Sequence, residues 1–295
     1  MILGIFERTF NIKYLRLNRL AGVREAGHDL VMYWDNAYRN SAYIPGGDGY
    51  PARWLEEARD FRTRASARAR LDRRYGPGER EVYDLFLPEG APRGVVVFVH
   101  GGYWLAFDKS SWSHLAAGPI AHGWAVAIPS YTLCPAARIG EIVKQIGRAV
   151  NLISGAVPGE IRLTGHSAGG HLVTRMSCLD SPFTGRIAKT LSISGLHDLR
   201  PLLQTAMRSE LRLDEAEAAA ESPALLVPRG GTIVTTWAGA DERPEFIRQA
   251  ALLANIWTGL DAETKQVTAP GRHHFDVIDE LADPRSPMIA ELLDL

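Results

Sequence analysis

The sequence predicts an α/β fold in which a mostly parallel central sheet is covered by helices on both faces. Three observations carry that expectation. Gly94-Val-Val-Val-Phe-Val99 is a continuous apolar run, the pattern of a strand buried on both sides. Further apolar strand candidates recur at 124–128, 161–164, 190–194, 232–238 and 264–267. Helix-compatible stretches separate them, at about 110–122, 139–154, 169–179 and 244–259, and strands alternating with helices wind into a right-handed parallel sheet. Ligand sites in such sheets lie beyond the carboxyl ends of the strands, so the residues that follow strands are where chemistry is sought.

At 295 residues, with 46% hydrophobic and 23% charged residues, the chain suits one core of ordinary composition. The expected organisation is a helical N-terminal extension over 1–32 followed by a single domain over 33–295. Residues 1–18 mix Ile, Leu and Phe with Arg8, Lys13 and Arg16, without the long apolar core and small-residue cleavage site of a secretory signal. Residues 33–50 are aromatic and turn-rich around Pro45-Gly-Gly-Asp-Gly49. Such a segment cannot bury itself alone and is expected to cover the main body. From Tyr50 to Arg74 the pattern reads as helix, opened by Pro51 and carrying a run of arginines interleaved with Glu56, Glu57, Asp60 and Asp72. The interleaving favours a solvated helix face over an anion site. Residues 81–87 alternate and end at Pro88, which reads as a strand.

A formal net charge of −1 gives no argument for a nucleic-acid or anionic-membrane partner, and no run approaches the length of a membrane-spanning helix. Cys134 and Cys178 are too few and too far apart for a disulfide framework or a zinc site. They are expected as small buried residues of a cytoplasmic protein. No metal or organic cofactor is implied, a small-molecule substrate is the expected partner, and no motif decides whether the chain pairs as a homodimer.

The chemistry converges on Ile161-Arg-Leu-Thr-Gly-His-Ser-Ala-Gly-Gly-His171. An apolar run, Gly165-His-Ser-Ala-Gly169 and a helical segment give a strand, a sharp turn and a helix with Ser167 at the apex, the geometry of a nucleophile elbow. The helix amino terminus behind Ser167 supplies unpaired N–H groups where an oxyanion would form. The buried strand 95–99 runs into His100-Gly-Gly-Tyr-Trp104, whose amides at Gly101 and Gly102 can join that of Ala168 as oxyanion donors. His100 is expected to hold the loop. The base should come late in the chain, and Gly271-Arg-His-His-Phe275 offers His273 and His274, of which His274 is preferred. The acid should follow the strand at 232–238, where Asp241 and Glu242 stand side by side; Glu245 falls in the first turn of the next helix and Asp276 beyond the histidine loop. The remaining histidines, His166 among them, are expected to be structural or solvent-facing.

Taken together, these residues resemble the arylformamidases, also called kynurenine formamidases, a branch of the α/β-hydrolases. The likeness rests on the region from Tyr38 to Tyr43, His100-Gly-Gly-Tyr-Trp104 followed by Lys109, Tyr131-x-Leu-x-Pro135 and the elbow. It continues through 193–201, Pro244-Glu-Phe246 with Gln249, and His274-Phe275 ahead of Leu281-Ala-Asp-Pro284. It implies Ser167 as nucleophile, His274 as base and, two positions before the proline of Pro-Glu-Phe, Glu242 as acid in place of the aspartate of animal members. It implies hydrolysis of N-formyl-L-kynurenine to L-kynurenine and formate through an acyl-serine, a step of tryptophan breakdown, with Tyr103 or Trp104 against the aromatic leaving group. A carboxylesterase for small aryl or acyl esters would use the same machinery, and a hydrolase-like binding protein without catalysis is the third alternative.

Overall fold

The computed structural model describes residues 33–295; the helix expected over 1–32 and His28 lie outside the described residues. Eight strands form one sheet: β1 (Ala69–Arg74), β2 (Val82–Phe86), β3 (Gly94–Val99), β4 (Ala125–Pro129), β5 (Glu160–His166), β6 (Lys189–Ile193), β7 (Ile233–Gly239) and β8 (Glu263–Ala269). Their order is β1-β2-β4-β3-β5-β6-β7-β8. β2 runs antiparallel to both neighbours and every other pair is parallel, so the fold is the mostly parallel α/β architecture that the alternation predicts.

The α-helices are α1 (Tyr50–Arg64), α2 (Ala117–Ala121), α3 (Ile139–Ala156), α4 (Ala168–Met176), α5 (Arg208–Leu211), α6 (Glu215–Ala220), α7 (Pro244–Thr258) and α8 (Pro287–Leu293). Alternation along β3 divides the core. Val95, Val97 and Val99 pack with Ile139, Ile142, Ile146, Val150 and Ile153 of α3 and with Leu172 and Val173 of α4. Val96 and Phe98 face the other way, toward Trp54 of α1 and Met288, Ile289 and Leu292 of α8. The α3 positions recur at three- and four-residue steps, one stripe of a helix, and each fully buried aliphatic side chain stabilises the fold by about 1.5–3 kcal/mol. Cys134 and Cys178 are buried free thiols, and no described helix is long and apolar enough to cross a membrane.

Two expectations are corrected. The helix read over 50–74 ends at Arg64, and residues 69–74 are β1, paired antiparallel with β2 from Ala69 opposite Phe86 to Arg74 opposite Val82. α1 buries Trp54 and Ala58 and sets Phe61 on Phe86; beyond Arg64 no apolar stripe continues, and hydrogen bonding to the open edge of β2 overrides the helix propensity of the arginines. Along that run Arg59 lies on the surface beside Glu56 and Asp60, whereas Arg62 turns inward to Ser113 Oγ at 2.8 Å. The helix expected over 110–122 is two 3₁₀ turns followed by the five-residue α2; Pro119, inside α2, has no N–H to bond back to Leu115, so the preceding turn is not joined to α2 as one α-helix.

The segment 33–50 is laid against α7. Residues 33–37 are helical, Tyr38 is buried, and its hydroxyl donates to Glu245 Oε1 at 2.8 Å while its ring meets Phe246.

Candidate active site

β5 ends at His166 and α4 begins at Ala168, which leaves Ser167 alone at the apex with φ +56° and ψ −118°. A non-glycine residue held there stores about 1–3 kcal/mol of backbone strain. Two hydrogen bonds fix it: the Ser167 amide donates to Ile193 O at 2.8 Å, and its carbonyl accepts from the His171 amide at 3.2 Å. Gly169 makes the close approach of α4 to β3 possible, since a Cβ there would lie 1.9 Å from Val99 O.

The loop after β8 carries the imidazoles. His274 Nδ1 donates to Glu242 Oε2 at 2.8 Å, and its ring lies between His166 (centroids 4.6 Å apart) and Phe246 (4.4 Å). In keeping with the structural place expected of it, the His166 ring forms one wall of the His274 slot and its Nε2 donates to the His274 carbonyl at 2.9 Å. Burial, then the neighbouring His274, pushes the His166 pKa well below the ordinary histidine value, so His166 is a neutral spacer. His273 has a different post: Nδ1 accepts from the amides of Phe275 and Asp276, and Nε2 meets Tyr50 Oη at 3.1 Å. Asp276 accepts from the His273 amide, the structural place expected of it.

Of the two neighbouring carboxylates that the sequence leaves open, Glu242 is the one that reaches the imidazole. Glu242 is buried and touches His274, whereas Asp241 is exposed. Glu242 Oε1 is held from the other side by Ser194 Oγ and by the Gly239 amide, both at 2.6 Å. Gly239 has to be glycine: a Cβ would sit 2.1 Å from Arg272 O, in the loop that delivers His274. Glu245 serves architecture, accepting from Tyr38, Gln249 and Arg248. Ser167 is 2% and His274 3% exposed; neither Ser167 Oγ nor His274 Nε2 has a hydrogen-bond partner among the described residues.

Beside them lies the loop after β3. Gly101 is packed on the elbow, where a Cβ would come within 2.9 Å of Ser167 Cβ, and the chain then passes through positive φ at Gly102 (107°), Tyr103 (53°) and Trp104 (57°). The amides of Gly101, Gly102 and Ala168 have no hydrogen-bond acceptor among the described residues. Such groups stabilise negative charge that develops on a bound oxygen. His100 braces the loop as expected: its ring stacks on Tyr131 with centroids 4.3 Å apart, Nδ1 donates to Gly101 O, and burial lowers its pKa to about 4. Tyr103 is half-buried, its hydroxyl donating to Tyr38 O at 2.6 Å. Trp104, expected against the leaving group, is 0% exposed and packs edge-on to His171 within the core. Its indole is part of the support behind the loop.

Two contributors are named in the sequence only as part of the resemblance, with no role given to them. Ser194 follows β6 at the carboxyl edge of the sheet, the same position rule that finds the others, but a Ser-Gly pair reads as an ordinary turn. Gln249 is fully buried on α7; its Oε1 accepts from the amides of His197 and Asp198 and so pins the loop after Ser194.

The BD-FAE family model matches residues 83–195, which span β2 to the end of β6 and include the glycine loop and the elbow. Kynurenine formamidase of Salmo salar is 29% identical over 243 residues, 75% of this chain and 80% of that one. The Drosophila melanogaster kynurenine formamidase is 28% identical over 230 residues, 71% and 75% of the two chains. Among solved structures, a candidate thioesterase from Silicibacter sp. tm1040 is 50% identical with a TM-score of 0.84, covering 88% of this chain and 98% of that one. A hyperthermophilic esterase from Pyrobaculum calidifontis superposes with a TM-score of 0.63 at 16% identity, over 83% and 92% of the two chains, a likeness of fold.

Proposed function

Because the chain belongs to the arylformamidase branch of the α/β-hydrolases, we propose that it is a serine hydrolase that cleaves N-formyl-L-kynurenine to L-kynurenine and formate. The observation that carries the proposal is the Glu242–His274 pair, joined at 2.8 Å and walled by the residue that precedes Ser167. His274 takes the Ser167 proton as Oγ bonds to the formyl carbon, and the carbonyl electron pair moves to an oxygen facing the amides of Gly101, Gly102 and Ala168. Collapse breaks the C–N bond as the imidazolium donates its proton to the departing nitrogen. Water, deprotonated by the same imidazole, then releases formate and returns the proton to Ser167. Glu242 keeps Nδ1 protonated throughout, which leaves Nε2 free for each transfer.

Ester or thioester cleavage is the second reading, favoured by the 50% identity to a chain named as a candidate thioesterase. Steady-state rates on N-formyl-L-kynurenine, p-nitrophenyl acetate and a short acyl-thioester, with and without Ser167→Ala, separate the two. The formamidase reading expects kcat/KM of about 10⁴ M⁻¹s⁻¹ or more on the formamide, lost in Ser167→Ala. Turnover of the ester or thioester alone, with the same loss, would overturn the substrate and keep the mechanism.

A further inference from the structure

Ser194 stands in a costly place. Its φ is +51°, it is 0% exposed, and its amide is fixed to Trp237 O at 2.6 Å. A serine in the left-handed region is about 1 kcal/mol less comfortable than a glycine, so conformation alone argues for glycine here. The hydroxyl must offset that strain, and among the described residues its hydrogen bond goes to Glu242 Oε1, at 2.6 Å. With the Gly239 amide, also at 2.6 Å, it forms a two-donor socket built from the carboxyl ends of β6 and β7. A carboxylate seated by one oxygen in that socket has its second oxygen turned to His274.

We propose that Ser194 is a positioning residue, which anchors the Glu242 carboxylate and sets the basicity of the Glu242–His274 pair; this rests on the triad reading above. A donor to a carboxylate lowers its affinity for a proton and softens its pull on an adjacent imidazolium. Removing the hydroxyl leaves Glu242 more basic, so the protonated form of His274 is stabilised and the pH at which the base becomes available rises. The same removal frees the carboxylate to rotate, so fewer encounters find Nε2 aimed at the serine. The other titratable groups around the pair do not blur the readout. His166, on β5, is neutral because burial depresses its pKa, and Tyr103, on the loop after β3, is neutral because burial raises its pKa. On α7, Glu245 is ion-paired with Arg248; Asp241 and Arg243 flank Glu242 in the chain.

The test is the pH dependence of kcat and kcat/KM for the wild type, Ser194→Ala and Ser194→Gly on p-nitrophenyl acetate, an activated ester that does not depend on the formamide assignment. Ser167→Ala is run beside them, and turnover surviving there would sink the triad reading itself rather than the role of Ser194. Both Ser194 variants are expected to lose about 10- to 100-fold in kcat with little change in KM, the range of one hydrogen bond to a charged group. Both are expected to move the acid limb of kcat/KM upward by about half a pH unit or more. The glycine variant keeps the test sharp, because it relieves the backbone and folds at least as readily. Wild-type kcat and an unmoved limb in Ser194→Gly would overturn the proposal, as would a loss of activity with the limb unchanged.

Discussion

Glu242 is the most constrained side chain of the site, one carboxylate with three hydrogen bonds from three separate segments. Glutamine at this position has the same shape, but its NH₂ must face either a socket donor or His274 Nδ1. The orientation that keeps the amide oxygen on both socket donors turns the NH₂ to His274 Nδ1, which must then accept, and so favours the imidazole tautomer with the proton on Nε2, where it cannot accept from Ser167. Glu242→Gln is therefore expected to lose about 10³- to 10⁴-fold in kcat, with a melting temperature within a few degrees of wild type. An active Glu242→Gln enzyme would remove Glu242 from the triad. At this scale much was legible: Ser167 and His274 follow strands in the order the architecture uses, and glycines mark the donor loop. The choice between Asp241 and Glu242 was not, because it depends on long-range packing: the Arg272 loop lies against Gly239 and takes the Asp241 amide, while the Asp241 side chain is exposed. Trp104 was misplaced for the same kind of reason, since an aromatic beside a catalytic loop reads alike whether it faces substrate or core.

Among the elements, the carboxyl ends of β7 and β8 act as one part. Gly239 Cα lies so near the loop after β8 that an added methyl would meet Arg272 O at 2.1 Å. Gly239→Ala is expected to displace that loop and, with it, His274 relative to Glu242, lowering kcat by about 10-fold or more and stability by about 1–3 kcal/mol. Kinetics and chemical denaturation on one preparation read both quantities. Full activity would show that the loop yields elsewhere. The long apolar strands and α3, α4 and α7 were legible because each carries a full period of buried residues. β1 was not: its burial pattern is nearly all exposed, and only the free edge of β2 makes it a strand.

Taken whole, the molecule buries several uncharged imidazoles. His166 is held far below its ordinary pKa, His100 is lowered to about 4, and His171 and His197 to about 3, burial being the first cause in each. In the unfolded chain these rings titrate near 6.5. Their folded values are depressed, so between pH of about 6.5 and 4 the unfolded state binds more protons than the folded one, and stability falls as pH falls. Each ring contributes a slope of up to about 1.4 kcal/mol per pH unit, and the effect vanishes above pH of about 7. Melting temperatures are expected to be level from pH 7 to 8 and to drop steeply below about 6; a flat profile down to pH 4.5 would mean that the rings charge without unfolding.

The arginines of β1 have a last consequence. A strand at the border of a sheet offers unpaired N–H and C=O groups to any other chain in solution. Here that border presents Arg70, Arg73 and Arg74, all exposed, so a second molecule brought edge to edge would set like charges against each other. A basic run that reads, in the sequence, as a solvated helix face acts here as a deterrent: it discourages polymerisation at high concentration, and its benefit is colloidal.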